Sequence, residues 1–171
     1  MSSYAQNLSA QAPRVIIQRL DDPSLTLEAQ YNPSELEETI GATYAKLTVP
    51  GLSHQVKQFT NTNDVSMKFS LAFSVKDGGP KAADDLIAAR LFLKTSVRPR
   101  RAVGAVAHAG APRLYLFWPN FFTMTCVLTA ATLKYVSFNS QSRPTRMNAD
   151  VTVEEIRDTI ILADDFFDEH P

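Results

Sequence analysis

The chain has 171 residues, 44% hydrophobic and 20% charged, with a formal net charge of −1. That length suits one domain with a sizeable core, with or without short arms, and so balanced a charge offers no overall attraction for nucleic acid or a membrane surface. The single cysteine, Cys126, excludes an internal disulfide and any multi-cysteine metal site.

Residues 1–12 are polar and small, and they are expected to form a flexible N-terminal arm. They lack the basic start and apolar stretch of a signal peptide, and no run approaches the roughly 20 apolar residues of a membrane helix. A β domain is expected over residues 13–157. Arg14–Leu20 and Leu25–Tyr31 read as two strands of a hairpin, joined by the tight-turn sequence Asp21-Asp22-Pro23-Ser24. Pro33 stops the second strand because it cannot donate to a ladder. Leu36–Tyr44 resumes strand character, Pro50-Gly51 marks a turn, and His54–Asn63 reads as a polar loop.

The strongest pattern follows. In Asp64–Lys76, the residues Val65, Met67, Phe69, Leu71, Phe73 and Val75 occupy every second position. Strict alternation is the signature of a strand buried on one face. A one-residue slip would turn all of them to water, so this strand should set the register of the sheet, and it is expected at the sheet's centre. Asp77-Gly78-Gly79-Pro80 ends it. A helix is predicted at about 81–95, with Asp84 and Asp85 in its first turns and Arg90 and Lys94 near its end, which suits the helix dipole. Ala83, Leu86, Ile87, Arg90 and Leu91 share one side, the expected buried face.

Residues 98–113, rich in Ala, Gly and Pro with four arginines and no acid, read as a mobile loop. Leu114–Trp118 is a short apolar strand. In Phe122–Ala130, the residues Phe122, Met124, Cys126, Leu128 and Ala130 alternate with threonines and Val127, which makes Cys126 a core residue. Leu133–Phe138 continues or follows it. Asn139–Arg143 is a turn, and Thr145–Glu155 returns with Met147, Ala149, Val151 and Val153 facing inward. Residues 158–171 form an acidic-apolar tail with five acids beside Ile160, Ile161, Leu162, Phe166 and Phe167, expected to dock on its own domain or on a neighbour. The fold class is mainly β, a sandwich or barrel with one flanking helix.

Chemistry is hard to find in this pattern. His54, His108 and His170 fall in predicted loop or tail, and none has a second ligand at metal-binding spacing. Asp84-Asp85 and Asp164-Asp165 are adjacent pairs whose side chains diverge, whereas acid–base catalysis needs convergence. No nucleophile elbow, P-loop or dinucleotide fingerprint occurs, so neither catalysis nor a cofactor is expected. Arg98, Arg100, Arg101 and Arg113 could grip phosphate. No aromatic residue is interleaved among them for base stacking, and a subunit contact or exposed loop is the better reading.

Three stretches resemble one family, the N-terminal domain of tube-initiator proteins of contractile injection systems and phage tails. The first is Tyr31-Asn32-Pro33-Ser34-Glu35-Leu36 with Tyr44-Ala45-Lys46 and Val49-Pro50-Gly51-Leu52. The second is Pro112–Trp118, ending in Phe117-Trp118. The third is Tyr135–Phe138 followed by Arg143-Pro144-Thr145-Arg146-Met147 and Val151-Thr152-Val153. Together they span about 14–156 in the family's order. The resemblance implies a β-sandwich or barrel of the tail-tube type in a sixfold ring joining the baseplate spike-hub to the tube. The implied partners are other copies of the chain, the tail tube protein, the spike-hub protein and baseplate wedge proteins, with DNA or cargo only in transit and no membrane. The implied location is the tail and baseplate of a virion or injection particle assembled in the bacterial cytoplasm.

The family-motif positions Tyr31, Asn32, Pro33, Pro50, Gly51, Phe117, Trp118, Phe138, Pro144 and Arg146 are expected to serve assembly. Arg98, Arg100, Arg101, Ile161, Phe166 and Phe167 are candidate subunit contacts. Some relatives carry a LysM domain next. None follows here up to Pro171, and the expectation of baseplate anchoring passes to the acidic-apolar tail. The hydrophilic face of the last hairpin (Thr123, Thr125, Thr129; Arg146, Asn148, Asp150, Thr152, Glu154) is expected near the lumen, the alternative being an ordinary solvent-facing strand. The competing readings are the main tail tube protein and, from another class, a β-barrel that binds single-stranded nucleic acid.

Overall fold

The computed structural model describes residues 13–76, 82–99 and 110–157. Alternating side chains build nine strands and one helix there: β1 (Ile16–Arg19), β2 (Thr26–Glu28), β3 (Leu36–Thr39), β4 (Ala42–Leu47), β5 (Val56–Thr62), β6 (Ser66–Ser74), α1 (Ala82–Ser96), β7 (Leu114–Trp118), β8 (Phe122–Phe138) and β9 (Pro144–Glu155). Seven strands form one antiparallel sheet in the order β2-β1-β7-β8-β9-β6-β3, and β4 and β5 pair as a separate ribbon. Gln30 draws the β2 side of the sheet toward β6. Its amide donates to the Ser74 carbonyl at 2.9 Å and accepts from the Ser74 N–H at 2.6 Å.

The β1–β2 hairpin turns where expected. Asp22 caps the turn, accepting from the Ser24 hydroxyl at 2.6 Å, and its carbonyl accepts from the Leu25 N–H at 2.9 Å. The pairing Met67↔Val153, Phe69↔Val151, Leu71↔Ala149 and Phe73↔Met147 brings the inward rows of β6 and β9 together. All eight of those residues are buried. Yet β6 lies next to the edge strand β3, and β8 holds the centre of the sheet. Unbroken alternation reports one buried face; lateral position is decided by non-local pairing and leaves no mark on the pattern.

Strand β8 is a single strand of 17 residues with a parity change inside it. Leu128 pairs with Val153 and Ala130 with Thr152, so Thr129 is an extra residue, and its hydroxyl bonds the Thr152 carbonyl at 3.1 Å. Before this bulge Met124, Cys126 and Leu128 are buried; after it Ala131, Leu133 and Tyr135 pack against the core and Ala130 is exposed, contrary to its expected inward position. Deleting Thr129 is therefore expected to put Leu133 and Tyr135 on the wrong face, costing about 2 kcal/mol in chemical denaturation. Unchanged stability would contradict the bulge's role.

The helix also rotates relative to expectation. Leu86, Ala89, Phe92, Leu93 and Ser96 are buried, while Ile87 and Leu91 are more than half exposed. Apolar residues surround much of α1, so spacing alone is ambiguous. The observed face buries the bulkier Phe92 and Leu93, and the small Ala89 and Ser96 suit close approach to the sheet. Arg90 is exposed and sits 6.0 Å over the Tyr135 ring, a cation–π contact between α1 and β8.

Two further expectations change. The strand resuming at Leu36 breaks after Thr39, and β3 and β4 enter different sheets. The segment expected as a polar loop, His54–Asn63, contains β5. Every residue of β4 and β5 is exposed, so no one-sided burial pattern exists for the sequence to display.

Candidate assembly site

The ribbon is anchored at its root and otherwise stands clear. The Asn63 N–H donates to the Gly41 carbonyl at 2.9 Å, and the Thr43 hydroxyl donates to Asn63 Oδ1 at 2.7 Å. At the tip, Pro50 and Gly51 occupy the middle of a turn closed by the Leu52 N–H on the Val49 carbonyl at 3.2 Å. Gly51 has φ +91°, the left-handed conformation that the third residue of such a turn demands. Tyr44 and Phe59 meet edge-to-face at 5.8 Å on one side of the ribbon, with Lys46 and Lys57 directly opposite each other on the same side. Leu47 and Val56 occupy the other side. Tyr44, Leu47, Val49, Leu52, Val56 and Phe59 are all exposed, with Phe59 at 57%. An isolated two-stranded ribbon is marginal in water, and a cluster of exposed apolar side chains marks a surface completed by another molecule.

A second surface has opposite character. The outward rows of β8, β9 and β6 place Thr132, Asp150 and Ser70 side by side, then Ala130, Thr152 and Lys68. Lys134 pairs with Asp150 at 2.7 Å, and the Ser70 hydroxyl donates to the same carboxylate. The hydrogen bond from Lys134, then that from Ser70, holds Asp150 below the ordinary carboxyl value of 3.8. Because the folded value lies below the unfolded one, this contribution is complete above about pH 4 and is lost as pH falls through the folded value. Asp150→Asn is expected to flatten the acid limb of the stability curve below about pH 4; a limb of unchanged steepness would contradict the assignment. The effect is small, since the pair lies at the surface.

The sequence-identified positions do not converge on one point. Asn32 clamps the start of β1: its Oδ1 accepts from the Val15 N–H at 3.0 Å and its Nδ2 donates to the Pro13 carbonyl at 2.9 Å. Tyr31 is exposed beside it, and Pro33 leads toward β3. Trp118 stacks on Phe122 at 5.9 Å and meets Phe69 edge-on at 5.8 Å, whereas Phe117 projects from the opposite face of β7. Phe138 pairs with Pro144 at the end of the β8–β9 hairpin and is 59% exposed, with Arg146 opposite Ser137 and Ser74. Arg98 is exposed just beyond α1, and its N–H donates to the Thr95 carbonyl at 3.2 Å. Arg100, Arg101, Ile161, Phe166 and Phe167 lie outside the described residues, as do the 1–12 arm and the 158–171 tail.

Sequence reasoning missed Tyr44, Lys46, Lys57 and Phe59 as a group. One signal could have found them: runs of similar length flank Pro50-Gly51, which is how a hairpin reads when both faces are wet. Among the described residues, no group of three or more His, Cys, Asp and Glu could hold a metal ion, and no helix is long and apolar enough to cross a membrane.

Comparison with curated proteins finds no match. Among solved structures, the chain is similar to one from the tail of an empty GTA particle with C6 symmetry, at 12% identity and a TM-score of 0.42, covering 88% of this chain and 96% of that one. The family model for contractile injection system tube proteins matches residues 17–161. With that match over most of its length, the chain belongs to the contractile injection system tube protein family.

Proposed function

We propose that this chain is a structural, non-catalytic ring component of a contractile tail or injection system, placed at the baseplate end as the initiator or adaptor between spike-hub and tube. The observation that carries the assembly reading is the β4–β5 ribbon, exposed on both faces and apolar at six large side chains. A ring needs heterologous contacts that close by rotation, and a projecting arm supplies one half of such a contact. The family match supports the tube-type role, and the Tyr31–Leu36, Phe117-Trp118 and Arg143–Met147 motifs support the initiator position and sixfold closure. The polar outward face of β6, β8 and β9 would serve as the lumen wall, where balanced charge lets DNA or protein cargo pass without adhering. Spike-hub, tube and wedge proteins would be its neighbours in the particle.

Electron microscopy of tails purified from the producing cell, with a small tag on the exposed β8–β9 turn, tests this directly. Label confined to the baseplate end of the tube is expected. Label along the whole tube would make the chain the main tube protein, and unlabelled particles would overturn the structural role. The family's name favours the main tube protein as the second reading.

A further inference from the structure

The ribbon carries a feature that its own domain does not explain. Lys46 and Lys57 are register partners, exposed, and without an ion-pair partner among the described residues. Like charges directly opposite one another weaken a β pair, and this pair belongs to a ribbon with little else to hold it. Their arrangement calls for a carboxylate from outside, next to an apolar surface that takes Tyr44 and Phe59.

The same molecule offers such a place elsewhere. A groove of about 1160 Å³ runs between α1 and β2. Leu25, Leu91 and Phe92 give it apolar walls, and Leu91 is 56% exposed. Asp85, Glu28 and Arg14 are its charged groups among the described residues. Glu28 and Arg14 lie 3.6 Å apart, which leaves Asp85 as the acid without an ion-pair partner among the described residues. Among the described residues, strand β2 is the sheet's edge, paired only with β1, and so presents unpaired backbone groups. Ribbon and groove share no residue, and a head-to-tail contact requires two such different patches.

We propose that the β4–β5 ribbon of one copy seats in the α1–β2 groove of the next, with Tyr44 and Phe59 against Leu25 and Leu91 and with Lys46 and Lys57 facing Asp85. This rests on the ring reading and names the contact that closes the ring. Seating covers apolar surface on both copies and relieves the repulsion between the two lysines.

Cysteine capture in the full chain tests it. Cys126 is fully buried and does not compete. A mixture of the single variants Lys57→Cys and Asp85→Cys, oxidised mildly, is expected to give at least tenfold more mixed disulfide than Lys57→Cys with Ser140→Cys on the exposed β8–β9 turn. Yields equal to that control would overturn the seating. In the second arm, Lys46→Glu/Lys57→Glu is expected to lower assembly at least tenfold with an unchanged melting temperature, and adding Asp85→Lys to the same chain is expected to restore most of it. A defect that Asp85→Lys does not relieve would overturn the charge pairing. If the unmodified chain forms rings while both arms fail, the seating alone is wrong; if the unmodified chain forms no ring and enters no particle, the ring reading falls with it.

Discussion

Phe69→Ala is expected to destabilise the domain by about 3–5 kcal/mol, the range for removing a buried phenylalanine from a packed core. Phe69 is only 3% exposed and lies between Leu36 of β3 and Val151 of β9 in the sheet register. Its ring also meets Trp118 edge-on at 5.8 Å, tying β6 to the aromatic cluster at the end of β7. Truncation would leave a cavity bounded by three strands, and paired backbones cannot collapse into it without breaking ladder bonds. Equilibrium denaturation in urea measures this. A loss below about 1 kcal/mol would show that the β6 face does not carry the core.

Excising the ribbon should have the opposite signature. Joining Gly41 to Asn63 through a two-residue Asn-Gly turn is feasible because their backbones already hydrogen-bond at 2.9 Å. The excised residues are all exposed strand and loop in a sheet of their own, so the melting temperature is expected to stay within about 3 °C of the parent. Ring formation is expected to disappear, because the projecting half of the proposed subunit contact is gone. A large fall in melting temperature would mean the ribbon belongs to the folding core. Undiminished assembly would remove it from the interface.

The contrast between these two variants shows where the sequence is informative. Phe69, Leu71 and Met147 stand in rows that must face inward, and the penalty for misplacing them is written into the alternation. Turns were equally readable, since Pro50-Gly51 and Asn139–Arg143 carry residues chosen for local geometry. In the latter, Asn139 Oδ1 accepts from the N–H groups of Gln141 and Arg143, both at 2.9 Å. Beyond the lateral position of β6 and the break between β3 and β4, three things were not legible. The bulge at Thr129 hides because one extra residue simply reverses parity, which leaves open whether Leu133–Phe138 continues the strand or follows it. The helix face was misassigned because Ile87 and Leu91 are as apolar as the residues that do pack. Strand β5 was invisible because a ribbon wet on both sides imposes no pattern. That last failure falls on the candidate interface itself: a surface made for another molecule is not shaped by the burial of its own domain.

The initiator or adaptor reading turns on how many copies one particle holds. Quantitative mass spectrometry of purified tails, scaled to a baseplate protein of known stoichiometry, would measure it. About six copies are expected for a single sixfold ring. A count near a hundred or more would contradict that placement and make the chain the tube wall. Absence from the particles would contradict the structural role altogether and bring nucleic-acid binding forward.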